Sequence, residues 1–423
     1  MKQKVVSLVM AAAMAGTLLA GCGGSASSSA AASSAASSAA ASSAAASSAA
    51  EEEAASSAAS SAAEEEVAAS SAAAEETASS SAAAADDGTA QFDGLTANEA
   101  YEFPMIVKSF QSTYWGAAIK GMDKAAAELG VTYKAQGPNS ESDIADQVNM
   151  LNSAISASPK GIGLAACDTT SVLDSLKDCA SKGIPVVAFD TGVADAPEGS
   201  IVCTVATDNA QAGSVAAEHL YDALKDQIAS ADAPVRIGEV NQDATALNIQ
   251  QRGLGFINKM IELIQADGKT VSVEGNEFYV NNAEGADSGD TDVVIEVAVP
   301  AQTTVELCAT EAQTILSKED TIGIFGSNQT SAEGVIAADA NLSVLGDAVQ
   351  GVGFDAGSTI KAAVESGQFL GAVTQSPLMM GYYAIYALTA AANGQEVSDV
   401  PTAGYWYDAS NMNDEDIAPN LYD

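Results

Sequence analysis

Lys182-Gly183-Ile184-Pro185-Val186-Val187-Ala188-Phe189-Asp190-Thr191 is the stretch from which the fold can be read. Residues 184–189 carry no polar side chain, and the run stops on an acid and a hydroxyl. A strand apolar on both faces needs cover on both, which is the condition of a parallel sheet flanked by helices. On either side the same kind of run recurs, at 105–107, 131–135, 161–165 and 201–205, then at 235–240, 293–299, 321–325 and 349–354. Most are followed by amphipathic stretches, such as 115–129, one starting near Ser142, and 210–224. This rhythm predicts an α/β fold, and the length suits two doubly wound parallel-sheet lobes better than one.

Composition narrows the function. The 423 residues include 16 basic and 56 acidic side chains and one His, for a formal net charge of −40. Such a surface repels phosphate backbones and anionic headgroups, so neither nucleic-acid binding nor attachment through basic patches is expected. A single His excludes HExxH zinc sites and His-rich clusters, and no metal or cofactor site is expected. Any Ser/His/Asp catalysis would rest on His219, which reads as a solvated residue of a helix with no GxSxG nucleophile motif beside it. Cys167, Cys179, Cys203 and Cys308 fit no CxxC pattern and read as small buried hydrophobes, with no disulfide pairing assignable. The acidic insert at 281–292 lacks the glycine placement and terminal glutamate of an EF-hand loop and reads as an exposed hairpin.

The N-terminus is a targeting segment. Lys2 and Lys4 precede an apolar run, 5–19, too short to span a membrane and stay, and Leu19-Ala20-Gly21-Cys22 closes it. This resembles the lipobox of bacterial lipoproteins, which implies cleavage before Cys22 and a diacylglyceryl group on its thiol. The expected location is the outer face of the cell membrane, with lipid as the only membrane contact. From Gly23 to about Gly88 the chain is Ala and Ser interrupted by runs of Glu, and residues 23–102 are expected to be a disordered tether. Eight Glu with Asp86 and Asp87 leave 46 acids against 14 basic residues beyond this segment, so the folded part is itself near −32.

In doubly wound sheets, ligands bind at the carboxyl ends of the strands. Following the runs, those positions hold Gln111, Ser112, Tyr114 and Trp115, then Asp190 and Thr191, Asn328, Asp355, and Gln375 after Gly371-Ala372-Val373-Thr374. Aromatic faces, carboxylates and amides suit a sugar, whose C–H faces stack on rings and whose hydroxyls each want a donor and an acceptor. Asp190 and Asp355 could instead cap the following helices, Arg252 could be a surface charge, and Tyr114 and Trp115 could belong to the core.

At these residues the chain resembles the type I periplasmic binding proteins, the ribose-binding and related group that serve ABC importers. The resemblance runs from Pro104 to about Asn393. It is carried by Lys182 to Val187 leading into Asp190, Thr207-Asp208-Asn209, Gln251-Arg252-Gly253-Leu254-Gly255-Phe256, Gly353-Phe354-Asp355 and Gln375. It implies ligand contacts at Tyr114, Trp115, Asp190, Arg252, Asn328, Asp355 and Gln375. Ser112 stands for a family asparagine, Thr191 for the arginine of ribose binders and Thr303 for a stacking aromatic, while Ala166 replaces another asparagine. These departures point away from ribose toward another monosaccharide or polyol. The implied lobes are 103–208 with 376–401 and 209–375 with 402–423, joined by three hinge crossings near Asp208, Gln375 and Pro401. The expected function is capture of a sugar by a monomer and its delivery to an ABC permease, with no chemistry performed. A sensory receptor of the same fold and a secreted carbohydrate-active enzyme are the alternatives. Repressors share the fold, but the signal segment and the missing helix-turn-helix weigh against one.

Overall fold

The computed structural model describes residues 88–423; the signal segment, Cys22 and most of the Ala/Ser tether lie outside the described residues. Of the residues 23–102 expected to be disordered, those from Thr89 onward belong to the folded part. Thr89–Phe92 forms a 3-10 turn whose Phe92 packs on Tyr383 and Tyr386, and Tyr101 is buried beside Phe103. Phe92 and Tyr101 are buried in the first lobe's core with Leu95 packed against it, and that burial offsets the entropy of ordering the segment.

The first half alternates β1 (Glu102–Ile106), α1 (Thr113–Leu129), β2 (Thr132–Gln136), α2 (Ile144–Ser156), β3 (Ile162–Leu164), α3 (Leu173–Lys182), β4 (Val186–Phe189) and β5 (Ile201–Thr207). The second continues with α4 (Asn209–Ser230), β6 (Val235–Val240), α5 (Leu247–Ala266), β7 (Val271–Gly275), α6 (Glu277–Asn282), β8 (Val293–Ala298) and α7 (Val305–Leu316). It closes with β9 (Thr321–Gly326), α8 (Gln329–Asp339), β10 (Gln350–Phe354), α9 (Ser358–Glu365) and β11 (Gly371–Thr374). Then come α10 (Pro377–Ala392), β12 (Val400–Thr402) and β13 (Tyr405–Tyr407).

Two sheets result, one of six strands in the order β12-β5-β4-β3-β1-β2 and one of seven in the order β13-β11-β10-β9-β6-β8-β7. Neighbours are parallel except β13, which runs antiparallel to β11. Both faces are covered, as the apolar runs require. On the first sheet, Phe103, Met105 and Phe189 pack with Met122 and Leu388 of α1 and α10, and Ile106, Leu164 and Val186 pack with Leu151 and Leu176 of α2 and α3. On the second, Ile237, Val352 and Phe325 meet α4 and α5, while Val240, Ile324 and Ala372 meet α7 to α9.

Glycines set the closest helix contacts. A Cβ on Gly381 of α10 would lie 2.0 Å from the Ala118 carbonyl of α1, and one on Gly213 of α4 would lie 2.1 Å from the Arg252 carbonyl of α5. The chain passes between sheets after β5 into α4, after β11 into α10, and through Ala403 and Gly404 between β12 and β13. The third passage falls just beyond Pro401, because Thr402 still pairs with Thr207.

Two local expectations need correction. β7 was not foreseen, since this edge strand is only partly covered and its run is short. The 281–292 segment is no hairpin: α6 ends at Asn282, and the Asp287 and Asp292 carboxylates accept from the backbone of Val271 and Thr270. His219 is exposed on its helix, as expected, and also stacks. Its ring lies flat on the Trp406 indole, with centroids 3.8 Å apart and planes 2° apart, and burial lowers its pKa against the opposing pull of Asp222, Asp408 and Glu218. The four cysteines in the described residues are buried and free. Among the described residues no helix is long and apolar enough to cross a membrane.

Candidate functional site

β4 and β10 each end on an aspartate in left-handed backbone, Asp190 at φ 66° and Asp355 at φ 72°. L residues adopt that conformation rarely, and it clusters at functional sites. Asp190 Oδ1 accepts from the Tyr114 hydroxyl at 2.5 Å, where α1 begins. Its Oδ2 accepts from Asn248 Nδ2 at 3.2 Å and pairs with Lys108 Nζ at 3.1 Å. Lys108 also donates to Asn248 Oδ1 at 2.8 Å. Burial opposes the lysine's charge, yet the fields of Asp190, Glu141 and Asp243 prevail and hold its pKa above the ordinary value. The Tyr114 phenol is pushed well up, by burial first and by Asp190 second.

Asp355 Oδ2 accepts from the Gln329 N–H at 2.9 Å, the first residue of α8, and Oδ1 from Gln375 Nε2 at 2.6 Å. Its carboxylate therefore sits at the positive end of a neighbouring helix and does not cap its own, whose N-cap is Gly357. Burial raises its pKa, with Arg252 opposing. Arg252 is 1% exposed on α5. It lies on the Phe354 ring, 3.6 Å from the centroid, and donates to the Ser327 carbonyl at 2.8 Å and to Asn209 Oδ1 at 2.6 Å. Its Nε and the Gln375 Oε1 are buried without a partner. Asn328 is the N-cap of α8 in a reciprocal capping box with Ser331, and its Nδ2 donates to Gln242. Trp115 meets Tyr114 and Phe189 edge-on and donates from Nε1 to Glu141 at 3.1 Å, while Gln242 Nε2 reaches the other Glu141 oxygen at 2.8 Å.

These side chains line a narrow cleft between the two sheets, whose free space is about 30 Å³, so the side chains fill most of it in this closed arrangement. Of the residues anticipated from sequence, Ser112, Tyr114, Trp115, Asp190, Arg252, Asn328, Asp355 and Gln375 line it. Thr191 and Thr303 stand outside the lining and tie the lobes together. Thr191 Oγ1 accepts from the Asn248 N–H at 3.1 Å, and Thr303 donates from N to Ser142 Oγ at 2.8 Å and from Oγ1 to the Gln242 carbonyl at 3.3 Å. Sequence reasoning missed Lys108, Glu141, Gln242, Asn248 and Gln329, all in the lining. A signal existed for several of them. Lys108 and Gln242 follow β1 and β6 within two residues, and Glu141 lies in the loop after β2, so the strand-end rule reaches them when applied to every strand.

The lobes are in contact across the cleft, through Gln329 with Thr113 and Tyr114 and through Thr169 N donating to the Thr245 carbonyl at 3.1 Å. A wider groove of about 470 Å³ between α4 and α5, lined by Ser214, Asn258 and Lys259 among others, lies away from the strand ends and is open to solvent. Among the described residues no group of His, Cys, Asp and Glu could hold a metal ion.

Comparison with known proteins follows the same outline. Residues 103–396 match the family described as the periplasmic binding protein domain. The ribose import binding protein RbsB of Haemophilus influenzae is 23% identical over 295 residues, which cover 69% of this chain and 86% of the relative. Its namesake from Bacillus subtilis is 21% identical over 304 residues, 71% of this chain and 84% of the relative. A solved structure from Brachyspira murdochii, described as an ABC transporter, LacI family transcriptional regulator, is 29% identical and superposes with a TM-score of 0.64 over 77% of this chain and 99% of its own. A carbohydrate transporter solute-binding protein from Agrobacterium radiobacter, in complex with D-arabinose, shares the fold at 24% identity and a TM-score of 0.63, over 77% of this chain and 99% of its own.

Proposed function

The chain belongs to the periplasmic binding protein family, whose members bind solutes and are not enzymes, and from that premise we propose that it captures a neutral monosaccharide or polyol outside the cytoplasm. The bound solute passes to an ABC transporter permease, and the carrier acts as a monomer. The observation that carries this reading is the buried lining itself: ring faces from Tyr114 and Trp115, carboxylates from Asp190 and Asp355, amides from Asn328 and Gln375, and the Arg252 fork, contributed by both lobes. Asp190 is paired with Lys108 and Asp355 lies in the field of Arg252, while Glu141 leaves the lining with three carboxylates against two cations, a balance that disfavours an anionic solute. Arg252 Nε and Gln375 Oε1 supply a donor and an acceptor that hydroxyls would complete. The D-arabinose in the Agrobacterium radiobacter complex is a ligand of the proposed class.

A thermal-shift screen against pentoses, hexoses and polyols tests it. A true ligand at about a hundred times its dissociation constant adds about 2.7 kcal/mol of stability. No shift across the panel, with the protein folded, would reject a sugar as the solute.

Capture works by hinge closure about the three crossings, with lobes at 103–208 plus 376–401 and 209–375 plus 402–423, the first extended back to the Thr89 turn. Cys22 carries the lipid that holds the protein at the membrane, and residues between it and about 88 form the tether. Cys22→Ala should leave unlipidated protein, either uncut or released, as read by fractionation and metabolic labelling with fatty acid. Wild-type processing and membrane retention in that variant would refute the anchor.

A further inference from the structure

The chain does not stop at the second sheet's edge strand. Beyond β13 it runs back over the passage between β11 and α10, where the Asn420 carbonyl accepts from Thr374 Oγ1 at 2.9 Å and the Asn420 side chain from Ser376 Oγ at 2.5 Å. This places Tyr422 against the turn that follows Asp355. The Tyr422 carbonyl accepts from the Gly357 N–H at 3.0 Å and its hydroxyl from the Ala356 N–H at 3.3 Å. Asp423 forms an ion pair with Lys361 of α9, which anchors the segment to the second lobe. On its other side the Tyr422 ring meets Tyr114 at 6.0 Å between centroids and 77° between planes. Tyr114 belongs to the first lobe, and its hydroxyl holds Asp190.

We infer that Tyr422 is a positioning residue of the binding site, one ring that sets the Asp355 turn of one lobe and the Tyr114–Asp190 pair of the other at a common spacing. Both aspartates sit in left-handed backbone, which persists only where surrounding contacts hold it. At Asp355 they are the bonds to its carboxylate from Gln329 and Gln375, its own N–H on the Val373 carbonyl at 2.7 Å, and three bonds that fix the turn itself. The Tyr407 hydroxyl donates to the Asp355 carbonyl at 2.9 Å, and the next two backbone N–H groups both end on Tyr422. Tyr422 is absent from the cavity lining, so it acts through its neighbours and not by touching the solute.

The inference rests on the proposed solute binding, and the test separates the two. Tyr422→Ala should weaken sugar binding ten- to a hundred-fold with a faster off-rate, while the melting temperature without sugar stays near wild type. Tyr422→Phe keeps the ring but loses the acceptor for Ala356 N–H and should fall only a few-fold. If Tyr422→Ala does not fold, Tyr422→Leu, which fills the space without a ring or hydroxyl, takes its place. Affinity within two-fold of wild type in the folded variant overturns the inference, as does a loss of binding explained wholly by unfolding. Should wild type bind no sugar at all, the proposed function fails, and acrylamide quenching of sugar-free protein carrying Trp406→Phe decides the matter. Trp115 meets Tyr114 at 5.1 Å, so Tyr422→Ala should make its emission easier to quench; unchanged quenching overturns the role of Tyr422.

Discussion

Asp190 does two jobs at one residue, accepting from Tyr114 and neutralising Lys108, which is 2% exposed. Asp190→Ala should therefore weaken solute binding by about 2 to 5 kcal/mol and also destabilise the fold, since it strands a buried ammonium. Arg252→Ala should weaken binding by a similar amount, about 2 to 5 kcal/mol, by removing the fork that faces the cavity. Calorimetry with folded protein reads both, and wild-type affinity in the two variants would mean that the site lies elsewhere. Asp355 adds a pH dependence whose sign can be worked out. Burial raises its folded pKa above the ordinary 3.8, so the folded state holds this proton more tightly than the unfolded one. Acidification through that raised pKa relieves a buried charge but removes an acceptor from the site. Affinity should accordingly begin to fall at a higher pH than an exposed carboxylate would allow. Asp355→Asn should flatten that limb of an affinity-against-pH titration, and an unaltered limb would assign it to another group.

At the scale of elements, α4 and α5 are held at backbone contact. A Cβ at Gly213 would lie 2.1 Å from the Arg252 carbonyl and 2.9 Å from the Phe256 amide, with no flexible side-chain end to yield. Gly213→Ala must push the helices apart, at a cost of about 1 to 3 kcal/mol. Because the atom struck belongs to Arg252, the shift is passed to the guanidinium, and solute affinity should fall together with stability. Gly268 offers the control, since nothing lies within 4 Å of its Cβ position and only its φ of 78° resists a side chain. Urea denaturation and calorimetry on Gly213→Ala read the two effects, and unchanged affinity in the folded variant would uncouple the helix contact from the site.

For the whole molecule, the two tryptophans report from different places. Trp115 is 2% exposed in the cavity lining, bonded to Glu141, whereas Trp406 lies on β13 against His219 of α4. Saturating solute should change the intrinsic emission of wild type. Trp406→Phe should keep most of that change and Trp115→Phe should lose most of it, while still binding more weakly, because Phe retains a ring face but not the indole N–H that Glu141 accepts from. A signal that survives Trp115→Phe and disappears with Trp406→Phe would relocate the cleft.

By itself the sequence determined the class of fold and the ends of most strands. A six-residue apolar run such as 184–189 must be covered on both faces wherever it lies, and the polar residue that stops it must stand at the sheet's edge. These are local consequences of burial, which is why Asp190, Asn328, Asp355 and Gln375 could be named from their positions in the chain. Elements with weak local burial were less legible: β7 at an edge, and β12 and β13 with three residues each. Tertiary structure alone decided which strand ends face each other. Lys108 reads as one more charged residue until Asp190 and Asn248, from two other parts of the chain, converge on its ammonium. Glu141 reads as loop until the Trp115 indole and Gln242 reach its two oxygens. A buried ionic group is stable only when its partners are in place, and those partners are brought together by two sheets and three chain crossings, over separations that no local pattern encodes.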